Sequence, residues 1–120
     1  MSDLFGDRMK DYERRETCRK FMSGIPVYAR IDGRTFSKFT KGMDRPYDLM
    51  MTRAMIDTTK YLVDQTNALI GYTQSDEISL CWLSESSNQQ IFFNGKIQKM
   101  VSVLAALATA KFNNIAMSVW

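Results

Sequence analysis

No histidine occurs in the 120 residues of this chain. That absence excludes every acid–base or nucleophilic scheme built on imidazole. It also removes one of the two usual zinc ligands. The other, cysteine, occurs only at Cys18 and Cys81, far apart and in no Cys-x-x-Cys pair. A zinc site is therefore not expected, and the two thiols read as reduced and mostly buried. Whatever chemistry the chain performs must use carboxylates, lysines, hydroxyls or a hard metal ion. Long apolar runs are missing too. The longest, residues 100–110, is broken by Ser102 and Thr109, short of the roughly 20 residues a membrane span needs. The opening Met1-Ser2-Asp3 has no basic-then-apolar signal pattern. A cytoplasmic protein without membrane partners is the expectation.

The composition is that of a globular chain, with 45% hydrophobic residues. There is no internal repeat, low-complexity tract or linker, so residues 1–120 read as one small domain. A net charge of +3 is too small to mark a nucleic-acid binder, but its distribution is uneven. Arg30, Arg34, Lys38, Lys41 and Arg45 stand against only Asp32 and Asp44. A basic patch around an aspartate suits a polyphosphate ligand, although a solvated surface has the same composition.

Periodicity gives the elements. Residues 4–22 are rich in charged residues and helix formers, and Ser23-Gly24 with Pro26 ends that helix. Val27, Ala29 and Ile31 alternate with Tyr28, Arg30 and Asp32, the pattern of a strand with one face in a core. Gly33 breaks it, and a basic loop follows to Asp48. Asp48 is placed to cap a helix reaching about residue 65, with Met51, Met55, Thr58 and Leu62 turned inward. Residues 68–73 predict a second strand. Gln74-Ser75-Asp76 turns the chain into a third, in which Ile78, Leu80 and Trp82 alternate with Glu77, Ser79 and Cys81. A last helix over 95–113 carries Ile97, Met100, Val101, Leu104, Leu107 and Ala108 as its apolar stripe. The order is a helix, then β-α-β-β-α. This is an α+β, ferredoxin-like (split βαβ) arrangement whose last strand either comes from residues 116–120 or is not made.

In that topology the first and third strands are antiparallel neighbours. The end of the first therefore lies beside the start of the third, and Asp32 comes close to Asp76 and Glu77. Crowded carboxylates repel one another unless a cation joins them. Hard oxygen donors suit Mg²⁺, and two such ions can clamp the oxygens of an in-line displacement at phosphorus. Gly33 lets the backbone approach a metal or phosphate, and the backbone from Arg34 to Phe36 can offer N–H groups to a triphosphate. Each piece alone has an ordinary reading: Asp-Gly is a common turn, and Ser-Asp-Glu a common hairpin tip. Lys96 and Lys99 open the last helix, where the dipole disfavours cations, and phosphate is the ligand that would explain them.

Taken together these residues resemble the tRNA-His guanylyltransferase family, in its bacterial-type form. The stretch Leu4-Phe5-Gly6-Asp7-Arg8-Met9-Lys10 with Tyr12-Glu13 resembles the family's N-terminal helix. Arg30-Ile31-Asp32-Gly33-Arg34-Thr35-Phe36 resembles its first metal motif. Arg45-Pro46-Tyr47-Asp48 resembles the segment beside its nucleotide pocket. Tyr72-Thr73-Gln74-Ser75-Asp76-Glu77-Ile78-Ser79 resembles its second metal motif. The resemblance implies a polymerase-palm fold and two Mg²⁺ ions held by Asp32 and Asp76, aided by Glu77 and the Gly33 carbonyl. Asp32, Asp76 and Glu77 would be the catalytic set. Gly33, Arg34, Thr35, Phe36, Arg45 and Ser75 would hold GTP or another nucleoside triphosphate. Lys96 and Lys99 would contact phosphate or tRNA. The activity implied is addition of GMP from GTP to the 5′ end of tRNA, growing 3′ to 5′, in processing or 5′-end repair by a homo-oligomer, a tetramer by family likeness. Family members are longer, and carry beyond this point a further strand and a motif that begins with histidine. Metal and triphosphate binding are thus firmer expectations than complete catalysis. A truncated palm that binds Mg-nucleotide without turnover, and a nucleotidyl cyclase, are the two rival readings.

Overall fold

A computed structural model describes residues 4–33, 49–85 and 89–119. The elements run α1 (Leu4–Thr17), β1 (Val27–Asp32), α2 (Leu49–Thr66), β2 (Ile70–Gln74), β3 (Glu77–Trp82), a 3-10 turn (Phe92–Gly95) and α3 (Ile97–Val119). The fold is α+β, with a small antiparallel sheet ordered β1-β3-β2. Alternation decides which side of the sheet is covered. Val27, Ile78, Leu80 and Trp82 point into the core with Ala29 and Ile31 packed beside them. Met51, Met55 and Leu62 of α2 and Met100, Leu104 and Ala108 of α3 meet them there. All four inward positions expected on α2 are buried, and Ala54, Thr59 and Thr66 join them.

Trp82 ties the sheet to α2. It is 1% exposed, and its indole N–H donates to the Thr66 carbonyl at 3.0 Å and to Thr66 Oγ1 at 3.3 Å. Thr66 Oγ1 donates back to the Leu62 carbonyl at 2.7 Å. Thr58 and Thr59 bond the carbonyls four residues behind them in the same way. Among the described residues, no buried side-chain nitrogen or oxygen lacks a partner, as a folded core requires.

Three expectations change. The first helix stops at Thr17, not at residue 22. Beyond it the chain runs extended, because Lys20 bridges Lys96 and the Phe21 N–H donates to the Gly95 carbonyl at 3.0 Å. That pairing packs Phe21 against the core, which a continued helix would not do. α1 itself buries none of its residues. It stands off the core and helps raise the radius of gyration to 17.7 Å, against about 14 Å for a compact chain of this length.

The second change is at the other end. Residues 114–119 continue α3 instead of forming a strand or connection. Phe112 packs against the core and Ile115 is half-buried, extending the Met100-Leu104-Ala108 stripe by helical steps. No fourth strand occurs among the described residues, so the outer edge of β1 has no partner there. Over Ile97–Ser118 the helix is long and apolar enough to cross a membrane, by length and composition alone. Residues 100–110 did not suggest this. One stripe of it, Met100, Leu104 and Ala108, is built into the core, and 22% of the span is buried.

Third, neither cysteine is buried. Cys18 is exposed just past α1, and Cys81 is half-buried on the solvent face of β3; both are free.

Gly71 sets how closely α2 approaches β2. A Cβ there would lie 2.7 Å from Val63 Cγ2, 2.8 Å from Thr59 Cγ2 and 3.3 Å from Leu80 Cδ2. Those are methyl groups held by packing on both sides. Gly71→Ala is expected to destabilise the fold by about 1–3 kcal/mol, read as a lower urea midpoint at unchanged slope.

Candidate metal centre

The β1–β3 register pairs Asp32 with Glu77, and the β2–β3 register pairs Gln74 with the same Glu77. Directly opposed residues of an antiparallel pair share a face, with Cβ atoms about 5 Å apart. Asp32 and Glu77 therefore project together at one end of the sheet's solvent face. Asp76 joins them from the two-residue turn between β2 and β3. One carboxylate oxygen from each of Asp32, Asp76 and Glu77 lies within 4.8 Å of the others. Asp32 is exposed, and Asp76 and Glu77 are half-buried, so the cluster opens to solvent. The predicted convergence of the two acidic motifs is present.

The donor set suits a hard divalent cation. Oxygens bound to one octahedral Mg²⁺ at 2.0–2.1 Å stand about 3–4 Å apart. Small rotations of three side chains, two of them part-exposed, reach that spacing. Local bonds brace the cluster. The Gly33 N–H donates to the Asp76 carbonyl at 3.3 Å, closing the gap between the end of β1 and the hairpin tip. This spends the Gly33 N–H and leaves its carbonyl as the group a metal would use. Thr73 Oγ1 donates to the Glu77 carbonyl at 3.1 Å. Ser75 adopts φ of +56°, the sign a primed two-residue turn needs at its first central position, where glycine is usual. Holding serine there costs about 1–2 kcal/mol. Backbone strain of this kind clusters at functional sites.

Other predicted residues fall elsewhere. Arg34, Thr35, Phe36 and Arg45, the expected triphosphate cradle, lie outside the described residues, as does Asp48, the expected cap of α2. Lys96 and Lys99 are at the opposite end of the sheet from the carboxylates. Lys96 bridges Lys20 beside the 3-10 turn, whose Phe92 stacks on Trp82 with centroids 6.1 Å apart. Trp82 pairs with Val27, at the far end of β1 from Asp32. A six-residue strand spans about 17 Å, so the lysines are not brought to the acidic cluster. The cation at Lys99 has a nearer partner, since its Nζ lies 5.6 Å from the centre of the Phe93 ring. Sequence reasoning also passed over Gln74. It was expected in the turn, but the turn is only two residues long, so Gln74 ends β2 and faces Glu77.

Three negative groups at one sheet end repel when no cation joins them. Asp32→Asn is therefore expected to raise Tm by about 2–4 °C in EDTA, a gain that shrinks or reverses in millimolar Mg²⁺. Scanning calorimetry of both proteins in the two buffers measures it.

Comparison with known proteins agrees with this geometry. The sequence model of tRNAHis guanylyltransferase matches residues 6–119. The tRNA(His) guanylyltransferase of Schizosaccharomyces pombe is 30% identical over 107 residues, covering 87% of this chain and 38% of that protein. An uncharacterised protein of Acanthamoeba polyphaga mimivirus is 31% identical over 121 residues, covering 95% of this chain and 41% of its own length. Among solved structures, a bacterial tRNA(His) guanylyltransferase-like protein in complex with GTP superposes with a TM-score of 0.86 at 39% identity. It covers 98% of this chain and 54% of that one. One in complex with ATP gives 0.87 at 39% identity, covering 97% and 51%. The chain thus spans about two-fifths of the curated relatives and about half of the solved ones. With a matching sequence model, a matching palm-type fold and both acidic motifs in register, the chain belongs to the tRNAHis guanylyltransferase family.

Proposed function

We propose that this chain carries the metal- and triphosphate-holding part of a nucleotidyltransferase that adds GMP from GTP to the 5′ end of tRNA, in the 3′ to 5′ direction. The observation that carries the reading is the meeting of Asp32, Asp76 and Glu77 at one sheet end. Solved relatives in complex with GTP and with ATP support a nucleoside triphosphate as the ligand.

In this reading Asp32 and Asp76 hold two Mg²⁺ ions, with Glu77 and the Gly33 carbonyl completing the protein's share of ligands. The ions, when bound, supply charge neutralisation to the attacking and leaving oxygens at phosphorus. The chain's residues hold and orient. The fixed β1–β3 register keeps the carboxylates at one spacing, so little reorganisation accompanies the reaction. The backbone from Arg34 to Phe36, with Arg45 and Ser75, is assigned to the triphosphate. Lys96 and Lys99, at the far end of the sheet, are assigned to tRNA phosphates rather than to the nucleotide. Pairing of the incoming base with the tRNA supplies specificity, and the protein supplies positioning and charge. A cytoplasmic, oligomeric enzyme fits the reading. A second reading is Mg-nucleotide binding without turnover, which solved relatives in complex with GTP and with ATP support equally. A cyclase-like activity shares the two-metal scheme.

Calorimetry of GTP with the 120-residue chain should show binding in Mg²⁺ and none in EDTA. Asp32→Ala and Asp76→Ala should each abolish it; unchanged affinity in both folded variants refutes the shared site. Nucleotide addition to a 5′-truncated tRNA by this chain would eliminate the binding-only reading. A cyclic nucleotide formed from GTP alone would replace the tRNA reading with the cyclase one.

A further inference from the structure

Among the described residues, no helix covers the side of the sheet away from α2 and α3, and its side chains fall into three rows, with Ser79 buried at the centre. The register sets Tyr28, Cys81 and Ile70 side by side, then Arg30, Ser79 and Tyr72, then Asp32, Glu77 and Gln74. The last row holds two of the three clustered carboxylates. The first two hold side chains that a monomeric surface has little reason to gather. Tyr28 is 64% exposed, Ile70 63% and Tyr72 60%. Arg30 is exposed on the same face as both tyrosines. Single exposed apolar residues are ordinary; two aromatics and an isoleucine on one open sheet face form a patch that asks for an occupant.

We propose that this face is a stacking platform for the end of an RNA whose terminal phosphate lies at the carboxylate row. Tyr28 and Tyr72 would take bases and Arg30 a phosphate or a base plane. The proposal rests on the reading of Asp32, Asp76 and Glu77 as the phosphate-handling site. Three observations select RNA over a protein partner. The patch runs without a break into the carboxylate row, so its occupant shares the site's ligand. Successive rows stand about 7 Å apart, within one nucleotide's length. The patch charge is positive at Arg30, where an RNA phosphate approaches, and negative only where a metal would neutralise it. Exposed aromatics on an open sheet are a general means of holding unstacked bases, with Arg planes beside them. The Tyr72 hydroxyl donates to Gln74 Oε1 at 3.2 Å. That bond links the middle row to the carboxylate row and leaves the ring exposed.

The test uses the 120-residue chain and a fluorescein-labelled RNA stem-loop with a phosphorylated, unpaired 5′ nucleotide, followed by anisotropy in Mg²⁺. Tyr28→Ala and Tyr72→Ala should each weaken binding about tenfold. Tyr28→Phe and Tyr72→Phe should stay within about twofold, because a stack needs the ring and not the hydroxyl. Arg30→Ala should weaken binding and lower the salt slope by about one. Mg-dependent GTP binding should be unchanged in the tyrosine variants. RNA affinity unchanged in both Ala variants overturns the platform, as does equal loss in the Phe and Ala variants. So does absence of RNA binding by the wild-type chain. Loss of GTP and RNA together in a folded Ala variant also overturns it, as does a change of oligomeric state in place of RNA affinity. Failure of the carboxylate reading is separate: it appears as absence of Mg-dependent GTP binding in the wild-type chain, whatever the tyrosines do.

Discussion

A slip of one residue between two paired strands turns every side chain of one of them to the other face. The acidic cluster of this chain depends on that slip not happening between β1 and β3. Asp32 lies opposite Glu77 on the solvent side only because Val27, Ala29 and Ile31 face the helices with Ile78, Leu80 and Trp82. Shifted by one, Asp32 would point into the core, where an unpaired carboxylate is costly. The core thus fixes the acidic cluster although it touches none of it. Trp82, bonded through its ring nitrogen to Thr66, pins the far end of the same register.

The sheet end was legible in the sequence because its determinants are local. The alternation of residues 27–32 and 77–82, and a turn too short for any other pairing, require nothing from elsewhere. Antiparallel neighbourhood of the first and third strands then follows from topology alone. The misreadings have the opposite character. Residues 18–22 have helical composition, but Lys20 and Phe21 are claimed by Lys96 and Gly95, a pairing no local window contains. Asn113-Asn114 looks like a helix end, but Phe112 and Ile115 carry the apolar stripe past it. Lys96 and Lys99 are a separate case: their expected contact with phosphate or tRNA stands as a proposal, and the structure bears only on where they lie. A ring at Phe93 gives Lys99 a local partner, and the direction of the chain carries both away from the carboxylates. Of the proposed triphosphate cradle, Gly33 and Ser75 are described, and Arg34, Thr35, Phe36 and Arg45 are not.

The two ends of the sheet are chemically distinct. One has three carboxylates, a strained turn at Ser75 and a glycine whose N–H is already committed. The other has stacked aromatics and lysines around the start of α3. Under the proposed function, carboxylates at one end and lysines at the other would let a long anionic substrate lie across the sheet.

The acidic cluster is also assembled from unequal parts. Asp76 and Glu77 belong to a hairpin with a two-residue turn, a unit that closes in microseconds. Asp32 arrives only when β1 docks across the whole of α2 in sequence, a long-range contact that must first overcome its loop entropy. Docking of β1 is thus the step that completes the acidic cluster. A bound cation would favour the docked state by mass action, so the ligand of the finished site would also act as a late ligand of folding.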